Sequence, residues 1–135
     1  MKIRANNMVT IEFDTKDNHK KVVLKDIENF KSAGCRARLI VNSNGFMCDR
    51  PFEFDNTEEF LDKIKSIKDT LQGEAKLSEG YSDNYILLKA SSLGHIEITG
   101  QVFKFDDIDQ SLEFGFVTDQ TCLDALVSDF SKLVE

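Results

Sequence analysis

One stretch decides the fold of this chain: residues 111–134, which read SLEFGFVTDQTCLDALVSDFSKLV. In its first part, Leu112, Phe114 and Phe116 alternate with small or charged residues, which is the period of a strand with one buried face. Further on, the apolar residues recur at helical spacing, as on one side of a helix: Leu123, Leu126, Val127, Phe130, Leu133 and Val134. The stretch predicts a strand that leads into an amphipathic C-terminal helix, with Thr118 or Asp119 capping the first turn.

The first third of the chain predicts further strands and a tight hairpin. Apolar residues alternate with polar ones over residues 9–13, and a second strand is expected over residues 21–27. A third strand begins after Gly34. The dipeptide Asn44-Gly45 then predicts a two-residue type I′ turn, because both central positions of that turn need a positive φ.

The register of this hairpin can be compared with the hydrophobic pattern. A two-residue turn sets apolar residues opposite each other in three pairs: Val41 with Cys48, Ala37 with Phe52, and Cys35 with Phe54. Arg50 falls opposite Leu39 instead, and the neighbouring Pro51 has no N–H to donate to a ladder. We therefore expect the second arm at a sheet edge or at a bulge. The register also separates Cys35 from Cys48 too widely for a disulfide.

A helix is predicted after the hairpin, with Asn56 as its N-cap and Glu59 at the position of a capping box. Its expected buried stripe consists of the apolar residues at helical spacing, which are Phe60, Ile64, Ile67 and Leu71. Gly73 is well placed to end this helix.

The segment between the two helices predicts three more strands. Two short ones are expected over residues 75–77 and 85–90. The next begins with Ile96 and Ile98, but its later apolar residues, Phe103 and Phe105, have the opposite parity. A change of parity with Gly100 in between predicts a β-bulge at that glycine.

These elements amount to about eight strands, one mid-chain helix and one C-terminal helix. Short connections favour antiparallel pairing, so the predicted class is α+β, mainly antiparallel sheet, either sandwich-like or strongly curved. The 135 residues fit a single domain, residues 1–135. No apolar run approaches the length of a membrane span, and residues 1–7 lack the apolar core of a secretory signal. Three cysteines without paired spacing favour thiols in a reducing cytoplasm.

Charge is unevenly distributed along the chain, whose net charge is −7. Residues 1–50 carry ten Lys or Arg against six Asp or Glu, whereas residues 51–135 carry seven against eighteen. Such an acidic second part argues against nucleic-acid binding through that part of the chain, since phosphate contacts need clustered cations. Its sharpest concentration of charge is the loop that contains Asp106, Asp107 and Asp109, although solubility alone would explain these carboxylates.

No residue pattern in the chain indicates catalysis. His19 and His95 have no sequence neighbours that would complete a catalytic or metal site. Cys122 is expected in the first turn of the last helix, where the dipole can lower a thiol pKa. Without a histidine nearby in sequence, a packed cysteine is the better interpretation. The loop with three aspartates lacks the glycine and glutamate of an EF-hand. We therefore predict no enzymatic activity, no metal and no cofactor.

Three segments, taken in order, form a recognisable series: Phe60-Leu61 with Leu71-Gln72-Gly73-Glu74-Ala75, then Gly94-His95-Ile96-Glu97-Ile98, then Leu112-Glu113-Phe114-Gly115-Phe116 leading into Asp119-Gln120-Thr121-Cys122-Leu123. This series resembles the WapI-type immunity proteins, small cytoplasmic bacterial proteins that protect a cell from polymorphic toxins. The resemblance covers roughly the last two-thirds of the chain, and its motifs are a helix end, a strand start and a strand-to-helix cap.

The resemblance implies a non-enzymatic protein that binds and neutralises a cognate toxin domain, with a nuclease as one candidate. An acidic inhibitor suits a cationic nuclease, because complementary charge speeds encounter. On this interpretation Asp106, Asp107 and Asp109 are the expected partner-binding residues, with no direct contact to nucleic acid or membrane. The alternative is a small ligand-binding or hydrolase-like domain with an apolar pocket between sheet and helix.

Overall fold

The structure is a computed structural model that describes residues 8–104 and 110–134. Within those residues the chain forms eight strands and two α-helices. The strands are β1 (Val9–Phe13), β2 (Lys20–Asn29), β3 (Cys35–Ser43), β4 (Phe46–Phe54), β5 (Glu74–Ser78), β6 (Tyr85–Ala90), β7 (His95–Lys104) and β8 (Gln110–Asp119). The helices are α1 (Thr57–Thr70) between β4 and β5, and α2 (Cys122–Ser131) after β8.

The strands form two four-stranded sheets, one in the order β1-β2-β3-β4 and the other in the order β5-β6-β7-β8. We call them the first sheet and the second sheet. Within each sheet, every strand pairs antiparallel with the strand before or after it in sequence. The predicted α+β class is confirmed, and the strands divide between two sheets instead of forming one strongly curved sheet.

The β3–β4 hairpin has the predicted turn and register. Asn44 and Gly45 have φ angles of 53° and 96°, as a type I′ turn requires. Val41 pairs with Cys48, and the register continues without a shift to the far end of the hairpin. β4 is the outer strand of the first sheet, so the expected edge position is confirmed and no bulge is needed.

Both sheets and both helices contribute to one cluster of buried side chains. At its centre the ring of Phe130 in α2 lies 6.2 Å from that of Phe13 in β1 and 4.9 Å from that of Phe60 in α1, both in edge-to-face geometry. Leu126 is fully buried beside them, as the apolar stripe predicts. Val134 was expected on the same stripe but is exposed, because the helix ends at Ser131.

The start of α2 differs from the predicted cap. Thr121 occupies the N-cap position and makes no side-chain capping bond. Asp119 instead accepts a hydrogen bond from the Thr121 amide at 2.9 Å, in the turn that precedes the helix. The Thr118 hydroxyl donates to the carbonyl of Asp14 at 3.0 Å and so joins the end of β8 to the turn after β1.

The start of α1 after Asn56 is confirmed, but three details predicted for this helix were wrong. Asn56 does hold the N-cap position, but its side chain makes no capping bond. The helix ends before Gly73, because Leu71 adopts the left-handed conformation with a φ of 57°. That conformation turns Leu71 out of the helical path, so its side chain is exposed and does not extend the buried stripe.

The bulge predicted at Gly100 is also absent, because β7 keeps one continuous register with β8 through that residue. Val102, not Phe103, continues the buried face of the strand. Gly100 is required for space: a Cβ there would lie 2.2 Å from Cζ of Phe114 and 2.6 Å from the carbonyl oxygen of Tyr85. The ring of Phe114 occupies the place where a side chain would otherwise stand.

Candidate protein-binding surface

The three aspartates singled out by sequence, Asp106, Asp107 and Asp109, lie outside the residues that the structure describes. The strands before and after them in the sequence are described, however. The three aspartates belong to the segment that connects the end of β7 at Lys104 with the start of β8 at Gln110. The surface around those two strand ends is therefore the place to look for a binding site.

An open groove of about 740 Å³ lies between the tip of the β3–β4 hairpin and the ends of β7 and β8. At the tip, the adjacent side chains of Phe46 and Met47 are 71% and 68% exposed. The residues that line the groove come from these two regions: Phe46, Met47, Cys48, Asp49, Arg50, Pro51, Val102, Phe103, Gln110, Ser111 and Leu112. An exposed apolar surface of this kind is typical of a protein-binding site.

A buried carboxylate holds the two sides of the groove together. Glu79 is almost fully buried and accepts hydrogen bonds from the side chains of Ser82 (2.7 Å), Asn84 (2.9 Å) and Arg50 (3.4 Å). It also accepts one from the backbone amide of Glu53 at 3.2 Å. Four donors thus converge on a group that would be costly to bury unpaired.

The same network fixes the wall formed by Phe103. Arg50 donates to the carbonyl oxygen of Phe103, and Oδ1 of Asn84 accepts from the Phe103 amide at 2.8 Å. Sequence reasoning missed the roles of Glu79 and Asn84. One signal was present, because Arg50 shares the inward face of β4 with Phe52 and therefore needs a buried partner.

A second groove, of about 730 Å³, lies at the C-terminal end of α1. It is lined by Thr70, Leu71, Gln72, Ser91, Ser92, Leu93, Gly94, Asp119, Gln120 and Thr121. Most of these residues are polar, unlike the lining of the apolar pocket expected between sheet and helix. Hydrogen bonds from the hydroxyl and amide of Thr121 hold the pKa of the Asp119 carboxyl below its usual value.

His95 pairs with Asp119 across β7 and β8, and Asp119 precedes Cys122 by three residues. Cys122 itself is buried, and that burial raises the pKa of its thiol to about 12. At this residue, burial outweighs any lowering by the helix dipole. A thiol with so high a pKa is protonated at neutral pH, which favours the packed interpretation over the nucleophile.

Two further observations limit the kinds of site that the described residues offer. Across residues 8–104 and 110–134, His, Cys, Asp and Glu side chains nowhere cluster in a group of three that could hold a metal ion. No helix in that part of the chain has the length and apolar character needed to cross a membrane.

The comparisons with known proteins agree with the resemblance drawn from the sequence. The model of the immunity protein WapI-like family matches residues 3–135, which extends the similarity into the first third of the chain. No curated protein and no solved structure matches the chain.

Proposed function

The chain belongs to the WapI-like immunity protein family, and we propose that it is a non-enzymatic immunity protein that binds and neutralises a cognate toxin domain in the cytoplasm. The observation that carries this proposal is the family match over nearly the whole chain. The closed Cys122 site and the exposed apolar groove are in keeping with a protein that acts by binding.

The groove between the hairpin tip and the ends of β7 and β8 is the proposed toxin-binding surface. Phe46 and Met47 would supply apolar anchors, and the connection that carries Asp106, Asp107 and Asp109 would supply a negative rim. A cationic toxin fits this combination, and nuclease domains are cationic where they bind phosphates. We therefore propose a nuclease as the toxin.

Co-expression with candidate toxin domains, followed by pull-down, tests the proposed function. The toxin domain encoded beside this chain should be retained by it, and a cell that makes both proteins should survive. A matched control uses the Phe46→Ser, Met47→Ser variant, whose changed side chains are already exposed and leave the core intact. If the neighbouring toxin domain kills the cells equally with and without this chain, the proposed function is wrong.

Asp106, Asp107 and Asp109 are proposed to set the rate of association. Replacing all three by Asn should slow toxin association by about tenfold or more at low salt, because rim charges steer encounter. The difference should shrink near 1 M salt, where the Debye length is about 3 Å. Stopped-flow or biosensor kinetics at several salt concentrations measure this. An unchanged association rate at low salt would remove the three aspartates from the interface.

A further inference from the structure

The backbone groups of β8 alternate in direction, and the register shows which of them face outward. The Gln120 amide donates to the Gly94 carbonyl at 2.9 Å, which marks a hydrogen-bonded pair next to the first ladder pair of β7 and β8, His95 with Asp119. Hydrogen-bonded and non-hydrogen-bonded pairs alternate along an antiparallel ladder. The even-numbered residues of β8 therefore bond to β7, while the N–H and C=O groups of the odd-numbered residues point to the open side of the sheet.

The outward backbone groups of four successive odd-numbered residues have no hydrogen-bond partner: Ser111, Glu113, Gly115 and Val117. This holds for every partner on the described part of the chain. An edge strand in this state is a template on which another strand can pair. The open stretch spans residues 111–117, which suits a partner strand of common length, about 5–6 residues.

The outer strand at the other end of the second sheet, β5, does not present such an edge. Its ladder with β6 continues into the bond from the Glu79 amide to the Asn84 carbonyl, so Lys76 and Ser78 point outward. The Asn56 side chain donates to the Lys76 carbonyl at 2.8 Å and accepts from the Ser78 amide at 3.3 Å. One amide side chain thus occupies the position that a neighbouring strand would take.

We propose that a strand of the cognate toxin domain adds to β8 and extends the second sheet. This inference rests on the proposed function and specifies how the toxin is held. The open edge begins at Ser111, which also lines the groove beside Phe46 and Met47, so the two features form one continuous surface. Backbone bonds along β8 would supply register, and the groove would supply the apolar anchor.

The charge on the outer face of the second sheet indicates which side chains the toxin strand should carry. Three carboxylates lie on the outer face of β7 and β8: Glu97, Glu113 and Asp119. Lys89 of β6, which is farther from the open edge, pairs with Glu97. Val117 is exposed between the carboxylates and offers apolar contact. The toxin strand should therefore carry Lys or Arg on the face that it shares with these carboxylates. A second copy of this chain would bring a further net charge of −7 to the same place.

Residue-resolved hydrogen exchange tests two points: which amides of β8 point outward, and whether a toxin strand bonds to them. In the free protein, the amides of Glu113, Gly115 and Val117 should exchange faster than those of Phe114 and Phe116. In complex with the toxin domain recovered by co-expression, the three odd-numbered amides should become protected. If the toxin binds and these amides remain unprotected, β8 is not the docking edge and the proposed function stands. If no toxin domain binds, both proposals fail.

A proline substitution tests the same edge by mutation. In Gly115→Pro the missing N–H is an outward one, so the ladder with β7 is kept while the bond to an added strand is lost. A Cβ at this position would meet only Cγ2 of Thr99, at 3.5 Å, which is an ordinary contact. Gly115→Ala is therefore the matched control, since it adds the Cβ and keeps the amide.

We expect Gly115→Pro to weaken toxin binding by about tenfold or more, and Gly115→Ala to bind as the unchanged protein does. Thermal unfolding of both variants in the absence of toxin serves to confirm that each is folded. Equal affinity of the two variants would overturn the proposal. Protection of the odd-numbered amides that grows with protein concentration, without toxin, would assign the edge to a second copy and would equally overturn it.

Discussion

The second half of β4, from Pro51 onward, and β8 present their free edges in opposite ways. On β4, Pro51 has no N–H to offer, and its carbonyl accepts from Nε of Arg50 at 2.9 Å. The Glu53 amide donates to Glu79 at 3.2 Å, and the Glu53 carbonyl accepts from the Gly80 amide at 3.3 Å. On β8, the outward groups of residues 111–117 have no such partners among the described residues.

The difference shows that, among the described residues, contacts which block a strand edge are present on part of β4 and are missing on β8. Proline, a buried carboxylate and an arginine are recognised ways to prevent unwanted strand pairing. β1 is short and α2 packs against it, while β5 is occupied by Asn56. An unblocked edge over residues 111–117 is a risk for aggregation, so its persistence beside edges that are shortened or blocked favours a reserved binding function.

The largest expected effect tests the protection of β1 by α2. Leu126→Ala should lower the free energy of unfolding by about 2–5 kcal/mol, because it opens a cavity at a fully buried position in that helix. Denaturant unfolding measures the loss. Leu93→Ala makes the same chemical change where the side chain is 93% exposed, and should stay within about 0.5 kcal/mol. Equal losses in the two variants would show that α2 adds no packing.

The next effect tests the block on β4. Glu79→Ala removes the acceptor of four hydrogen bonds and leaves Arg50, whose side chain is only 24% exposed, without its ion pair. We expect a loss of about 3 kcal/mol, the lower end for a broken buried pair because part of Arg50 reaches solvent.

Glu53→Ala is the matched control for the same strand. Glu53 pairs with Arg36 at 3.1 Å on the exposed face of the first sheet, so its loss should cost less than about 1 kcal/mol. Both variants are compared by denaturant unfolding at the same pH. A smaller loss for Glu79→Ala than for Glu53→Ala would show that the buried carboxylate does not stabilise the β4 edge.

The sequence was sufficient to predict strand register and element type where turn residues and hydrophobic periodicity agree over the same short stretch. Asn44-Gly45 defined the β3–β4 register, and the apolar alternation defined β8 and the helix after it. Both signals act over a few residues, so no knowledge of distant contacts was needed. The edge position of β4 followed in the same way from Pro51.

The sequence was insufficient where a residue serves a partner far along the chain. Gly100 was interpreted as a bulge, but it makes room for Phe114 on the next strand. The groove brings Phe46 and Phe103 into one surface, although residues 47–102 separate them in the chain. No local pattern reports such a contact, and the unblocked edge of β8 becomes visible only when the other edges can be compared with it.

Asn56 supplies the smallest and most discriminating test of the comparison between edges. As a helix cap it would be replaced well by Asp, whose carboxylate also suits the helix dipole. As the block on β5 it needs both an acceptor for Ser78 and a donor for Lys76, and Asp has no donor. We expect Asn56→Ala to cost about 1 kcal/mol for the loss of these two hydrogen bonds, and Asn56→Asp to cost a measurable part of it. Thermal unfolding at neutral pH measures both variants against the unchanged protein. An Asn56→Asp protein as stable as the original, or more so, would return Asn56 to the role of a cap and leave β5 without its side-chain block.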